Sequence, residues 1–208
     1  MAEYHLQVPL QEEEIRKVRI GDLVYFSGEA FTSREKFQRH IFDLDNKVPF
    51  PLENRNLLIH CGPVMVWEND SWKVVSFAPT TSIRFEKWGP KSIEQWKLRC
   101  IIGKATMGES TQQAMKKFGC IHVSMIGVTS NQGISHVKQV KDVFLKEEMG
   151  AIEAPWLVEL TNYGPFLVDI DTNGDNYYDK MDIIFEENRK KAFKFLNIPE
   201  DFEFTKLY

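Results

Sequence analysis

Two observations predict a mixed α/β or α+β domain. Short runs rich in β-branched and aromatic residues alternate with polar junctions that open onto helical spacing. One pair of those runs reads as a hairpin, which argues against a purely parallel sheet. The chain is 208 residues long, so one domain can bury a full core.

In chain order, Asp22 to Phe26 (DLVYF) reads as a strand ending at Ser27-Gly28. After Phe31-Thr32 a helix is expected with Ser33 as N-cap, Phe37, Ile41, Phe42 and Leu44 roughly following helical spacing. Leu57 to His60 is an apolar strand stopped by Cys61-Gly62-Pro63. Val64-Val66 and Lys73-Phe77 flank the turn Glu68-Asn69-Asp70-Ser71 and form the hairpin. One helix is expected after Pro79-Thr80-Thr81-Ser82 and a second after Gly89-Pro90. Cys100-Ile101-Ile102 is a buried-type strand ending in Gly103-Lys104. Gly108-Glu109-Ser110 opens a helix through Met115 and Phe118, and Ile121 to Val128 is the next strand. Trp156-Leu160 and Phe166-Ile170 read as a final strand pair around Asn162-Tyr163-Gly164-Pro165. The stretch Tyr177-Leu196 is helical, with Met181, Ile184, Phe185, Ala192 and Phe195 or Leu196 on one side. The whole of 1–208 is read as one domain, with 177–208 a C-terminal helical extension.

Composition removes several function classes. Lys+Arg number 26 against 30 Asp+Glu, a net charge of -4, so nothing drives binding to nucleic acid or to an anionic membrane. The opening MAEYHLQVPLQEEE carries acids where a targeting peptide needs a basic region, and no apolar run approaches the ~18 residues of a membrane span. Three cysteines (61, 100 and 120) form no CxxC and no even-numbered framework. The expectation is a soluble cytoplasmic protein.

Three strand-to-helix junctions carry a cation: Thr32-Ser33-Arg34, Pro79-Thr80-Thr81-Ser82-Ile83-Arg84, and Ile102-Gly103-Lys104. Such junctions offer backbone N–H donors, arginine grips a carboxylate with two parallel hydrogen bonds, and lysine adds a compact charge. Together they suit a small dianion; the competing reading is that Arg34 and Arg84 are solvated first-turn residues and the Thr/Ser run is an N-cap. The stretch Asp169 to Gly174 copies the first half of a calcium loop, but its twelfth position is Lys180 where a bidentate Glu is needed, so a strand and an Asx-rich turn are expected instead. His60 and His122 sit in strand patterns and read as structural histidines. Three cysteines on separate elements are a poor set for a cluster held by this chain alone.

Arg34 in TSRE, HCGP at 60–63, PTTSIR at 79–84 and IIGK at 101–104 resemble, in order and spacing, the β subunit of two-subunit iron–sulfur hydro-lyases. These are the class I fumarases and the L-tartrate dehydratases. VPLQEEEIRKVRIGDLVYFSG and VDIDTNGDN resemble the start and end of the same family, so the likeness runs from Val8 to Asn176. It implies a swivelling β/β/α fold and a larger α subunit whose cysteines hold a [4Fe-4S] cluster, in an α2β2 assembly. It implies that Arg34 and Arg84 hold substrate carboxylates, with Thr81 and Gly103 also at the substrate. Thr80 would lie close to the carbon that gains or loses a proton, and Lys104 would be the site lysine. The implied reaction is fumarate plus water to (S)-malate, with L-tartrate to oxaloacetate as the alternative. A diverged, non-catalytic anion-binding module is a third reading, motivated by three departures. Ala78 stands where the family usually has Gly, as does Ala105, and Gly127-Val128-Thr129-Ser130 replaces a loop of small residues.

Overall fold

The computed structural model describes residues 1–127, 131, 133–199 and 202–203. Two compact units divide the chain, Met1–Asn176 and Tyr177–Tyr208. The first is built on a seven-stranded mixed sheet of β1 (Glu3–Gln7), β2 (Leu23–Ser33), β3 (Leu57–His60), β6 (Cys100–Gly103), β7 (Ile121–Met125), β9 (Trp156–Ile170) and β8 (Val137–Val143), in that spatial order. A separate hairpin pairs β4 (Val64–Glu68) with β5 (Ser71–Ser76). Helices α1 (Glu12–Ile15), α2 (Glu35–Phe42), α3 (Gly89–Gln95), α4 (Glu109–Phe118) and α5 (Lys146–Met149) complete this unit, and the expected mixed α/β class is what the chain forms.

The sheet partly closes on itself because β2 has two long-range partners. One edge takes β1 in parallel over Leu23 to Ser27, then β3 in parallel over Phe31 to Ser33. The other edge runs antiparallel to β9, from Leu23 opposite Leu167 to Phe31 opposite Leu157. Strands β3, β6 and β7 run parallel to one another and β7 returns to β9, so the ring closes. Strict alternation of side chains then separates two cores. Leu57, Ile59, Cys100, Ile102, Ile121 and Val123 face one core, with Phe26, Tyr163 and Phe166. Leu58 and Ile101 face the other, against Phe37 and Ile41 of α2, Ile93 of α3 and Met115 of α4.

The expected strands at 57–60 and 100–103 and the helices after Gly89 and Gly108 form where the sequence places them. In the hairpin, Asn69 and Asp70 both take the left-handed conformation that a two-residue loop needs (φ 51° and 56°). Four expectations are overturned. The first strand does not stop at Ser27-Gly28 but runs to Ser33, so Ser33 pairs with His60 and the N-cap of α2 is Arg34. Pro79 to Ser82 leads into a single 3-10 turn, Ser82–Phe85, rather than an α-helix. Trp156-Leu160 and Phe166-Ile170 are not paired with each other; they are two halves of one 15-residue strand held along its length by β2. Strand β7 ends at Met125, and Val128, Thr129 and Ser130 lie outside the described residues.

In the second unit α6 (Tyr177–Phe195) forms as expected, but none of its residues is buried; Ile184 and Phe185 are exposed. No helix among the described residues is long and apolar enough to cross a membrane.

Gly28 allows β2 to continue through its bend. It adopts φ +111°, and an added Cβ would stand 2.9 Å from both the Val8 carbonyl oxygen and Gln7 Nε2. Gly28→Ala is expected to lower stability by about 2 kcal/mol, read as a fall in the urea midpoint at unchanged slope.

Candidate functional site

Strands β2, β3, β6 and β7 are parallel, so their carboxyl ends lie along one edge; the junctions at Arg34 and Lys104 leave from it, and the one at Pro79 to Arg84 follows β5 and bridges to it. Pro79 to Ser82 crosses between the ends of β3 and β6. Thr80 N–H donates to the His60 carbonyl at 2.6 Å, Lys104 N–H donates to the Thr80 carbonyl at 3.1 Å, and Ser82 N–H donates to the Lys104 carbonyl at 3.0 Å. Thr80, Thr81 and Lys104 therefore occupy neighbouring backbone positions, and Arg84 leaves from the exposed side of the 3-10 turn that follows. Arg34 joins this group through the backbone, since Ser33 pairs with His60. Its side chain lies over Gly62, where an added Cβ would stand 2.6 Å from Arg34 Cδ and 2.7 Å from Nη1.

A continuous buried hydrogen-bond chain lies beneath this edge. The amide Nε2 of Gln38 lies 3.3 Å from His60 Nε2, His60 Nδ1 is 3.0 Å from Ser82 Oγ, and Ser82 Oγ is 2.8 Å from His122 Nε2. His122 Nδ1 then meets the Asp169 carboxylate at 2.7 and 2.9 Å, and the Ser124 hydroxyl lies within reach of both Asp169 Oδ1, at 3.0 Å, and the Ala105 carbonyl, its single proton serving one acceptor at a time. Every one of these side chains is buried. An ionised carboxylate can only accept, so with neutral imidazoles the Asp169 end sets one direction of donation along the series. His60 Nε2 accepts, Nδ1–H donates to Ser82, the hydroxyl donates to His122 Nε2, and His122 Nδ1–H donates to Asp169. Burial, with a further contribution from nearby His122, pushes the His60 imidazole well below its ordinary pKa, so it is neutral as this direction requires.

The chain explains four residues the sequence singles out. Gly103 faces Ser82, not open space: an added Cβ would fall 1.7 Å from Ser82 Oγ and 2.7 Å from His122 Nε2. His60 and His122 are satisfied structural histidines, as expected, but satisfied by each other's shared serine. Asp169, first residue of the calcium-like stretch, is turned inward to His122. Asp171 accepts the backbone N–H groups of Asn173 and Ile20. Neither signals a cation site.

The carboxylates near the edge are committed elsewhere. Glu86 accepts from Gly108 N–H and Thr111 N–H at the start of α4 and from the hydroxyls of Ser110 and Thr111. Glu153 pairs with Arg34 through Nε at 3.2 Å. Arg84, Lys104 and the hydroxyls of Thr80 and Thr81 have no hydrogen-bond or ion-pair partner among the described residues, and neither do the terminal nitrogens of Arg34. The edge is thus a cationic surface whose charge the fold leaves open. Cys61, Cys100 and Cys120 are all buried, and burial raises each thiol, that of Cys61 to about 12. No group of three or more His, Cys, Asp or Glu side chains among the described residues is arranged to hold a metal.

The family model described as Fumarase C-terminus matches residues 1–181. The chain belongs to this family. Among relatives, the L(+)-tartrate dehydratase subunit beta of Escherichia coli K12 is 31% identical over 88% of this chain and 90% of its own length. A protein of Methanocaldococcus jannaschii provisionally named as an L(+)-tartrate dehydratase subunit beta is 31% identical over 90% of this chain and 94% of its own. A Geobacillus stearothermophilus protein provisionally named fumarate hydratase class I is 32% identical over 85% of this chain but only 34% of its own length. The chain is therefore a β-subunit-type member of the tartrate dehydratase and class I fumarate hydratase group.

Within this fumarase C-terminus fold, two departures acquire a physical meaning. Ala105 adopts φ +60°, a conformation that costs an L-residue about 1–2 kcal/mol and glycine nothing comparable. Ala78 is half-buried beside Cys61, whose thiol contacts its backbone. The third, at Val128 to Ser130, lies outside the described residues.

Two outcomes test the buried chain. Gly103→Ala should displace Ser82 and lower stability by about 3 kcal/mol, measured by urea unfolding. His60 has its folded pKa depressed. Below pH ~6.5 the unfolded chain therefore takes up a proton that the folded chain does not. Its contribution is intact at neutral pH and is lost as the pH falls, with a slope approaching about 1.4 kcal/mol per pH unit. His60→Gln should flatten that part of the stability profile between pH 6.5 and 5.

Proposed function

We propose that this chain is the β subunit of a hydro-lyase acting on a four-carbon dicarboxylate, with fumarate plus water to (S)-malate as the first reading. The open cationic edge carries the proposal. Arg84 and Lys104 have no side-chain counter-ion among the described residues, and Arg34 is paired with Glu153 through Nε alone, so its terminal nitrogens stay open to an anion. A dicarboxylate supplies two negative groups, and two arginine forks fix its ends so that the central carbons are held in one orientation. Lys104 stabilises negative charge that develops as the proton leaves carbon. Thr80 has its backbone fixed at both N–H and C=O, so its hydroxyl is presented at a defined place on this edge. A free hydroxyl is a weak base, and the proposal requires a carboxylate from a partner chain to activate it.

That partner is an α subunit in an α2β2 enzyme of the cytoplasm, and the proposal assigns the [4Fe-4S] cluster to it because the buried cysteines here are unsuited to the task. Exposed apolar residues flank the site positions: Val64 follows Gly62-Pro63, Ile83 precedes Arg84, and Ile152 lies over Gly62. Such residues favour cover by another protein surface. A second substrate reading, L-tartrate to oxaloacetate, is supported by the β subunits that match this chain over nearly their whole length.

Co-expression with the α partner, followed by anaerobic assay on (S)-malate, fumarate and L-tartrate, is expected to give turnover on one of these couples. Arg84→Ala should then lower kcat/KM by about 100-fold. Absence of turnover on all three by a cluster-loaded complex, or an unchanged kcat/KM in Arg84→Ala, would replace this reading with a non-catalytic anion-binding module.

A further inference from the structure

The N-cap of α2 is an arginine, a residue that cannot accept a hydrogen bond from the helix's first N–H groups, and no side chain of the cap itself does so. The acceptor comes from far away in sequence. Glu153, in the connection between α5 and β9, accepts the Lys36 N–H at 3.0 Å through Oε2. Its other oxygen, Oε1, lies 3.2 Å from Arg34 Nε. The second contact is an ion pair and not an aligned hydrogen bond, since Nε is buried without a hydrogen-bond partner. One carboxylate therefore fixes the helix that follows Arg34 and the inner edge of its guanidinium. Gly62 and Ile152 close on the same side chain, because a Cβ on Gly62 would meet Arg34 Nη1 and Ile152 Cγ2 alike at 2.7 Å.

We infer that Glu153 is a positioning residue for substrate, acting through Arg34. Holding the guanidinium by Nε leaves the two terminal nitrogens as the free fork, the edge that binds a carboxylate with two parallel bonds. A long side chain otherwise loses rotamer freedom when it binds, and Glu153 removes much of that cost in advance. The inference rests on the dicarboxylate reading above and adds a residue that touches neither substrate nor reacting atoms. The helix-capping contact and the ion pair separate in two variants. Glu153→Gln keeps an oxygen for the Lys36 N–H and loses the charge, whereas Glu153→Ala loses both.

The test is steady-state kinetics on the assembled αβ enzyme. Glu153→Ala should raise KM for the turned-over dicarboxylate about tenfold, and Glu153→Gln about threefold, with kcat within about twofold of wild type in both. In an Arg34→Ala background, adding Glu153→Ala should change KM by less than about twofold, because the effect runs through the missing guanidinium. A wild-type KM in Glu153→Gln overturns the inference, as does an undiminished effect in the Arg34→Ala background, which would mark a purely structural role. Should Glu153→Ala fail to assemble, the isosteric Gln variant decides alone. Wild-type enzyme that turns over none of the dicarboxylates sinks the functional reading instead, so the two failures are distinct.

Discussion

Ser82 Oγ sits between two imidazoles, in space that any side chain on Gly103 would fill, and the geometry of the functional edge depends on it. The ring of strands delivers its carboxyl ends to one edge, but parallel ends alone are loops with orphaned carbonyls. The buried chain from Gln38 to Ser124 joins α2, β3, the Pro79–Ser82 crossing, β7 and β9 into one directed series of hydrogen bonds. From Gln38 to Asp169 each member donates in the same sense, Ser124 approaches Asp169 from the other side, and a buried polar group left unpaired costs about 1–3 kcal/mol. A directed chain of this kind specifies one loop conformation where apolar packing would accept several.

The distribution of charge follows from the same architecture. The overall balance of -4 suggests a mildly acidic protein, yet near the strand ends the acids are used internally. Glu86 caps α4, Asp169 holds His122, and Glu153 binds the start of α2. What remains open is positive: Arg84, Lys104 and the fork of Arg34. In the proposed function a dicarboxylate supplies the counter-charge to these cations.

Much of the ring was legible because its strands are buried on both faces and read as continuous apolar runs, as Leu57 to His60 and Cys100 to Gly103 do. Strands β1 and β8 escaped notice because they lie at sheet edges with largely exposed, polar side chains, EYHLQ and VKQVKDV, and carry little periodicity. Strand β9 was misread for the opposite reason. Asn162-Tyr163-Gly164-Pro165 has the composition of a turn, and Asn162 does take a left-handed conformation (φ 48°), but Tyr163 still pairs with Phe26 of β2 and the strand continues through the irregularity. For the site, cations at junctions were readable one junction at a time. The buried chain was not, since its polar members stand in five elements between Gln38 and Asp169, each looking like an isolated exception in an apolar pattern. Glu153 gave no signal at all: it is one acid among 30, and its meaning lies in the fold placing it at a helix start that has no cap of its own.

Ala105 shows how tightly backbone and buried chain are joined. Its left-handed conformation costs an alanine about 1–2 kcal/mol, and a free loop would relax out of it. It does not, because its carbonyl is taken by Ser124 while the carbonyl of Lys104, one residue before, is taken by Ser82 N–H. Those two serines belong to the same series, Ser82 in its middle and Ser124 at its end against Asp169. The segment that carries Lys104 is thus gripped twice by one network, and strain at Ala105 is held by bonds on both sides of it. A glycine there would remove the strain without removing the grip, so the alanine changes the energy of this loop more than its shape. On that ground the departure is compatible with an intact cationic edge.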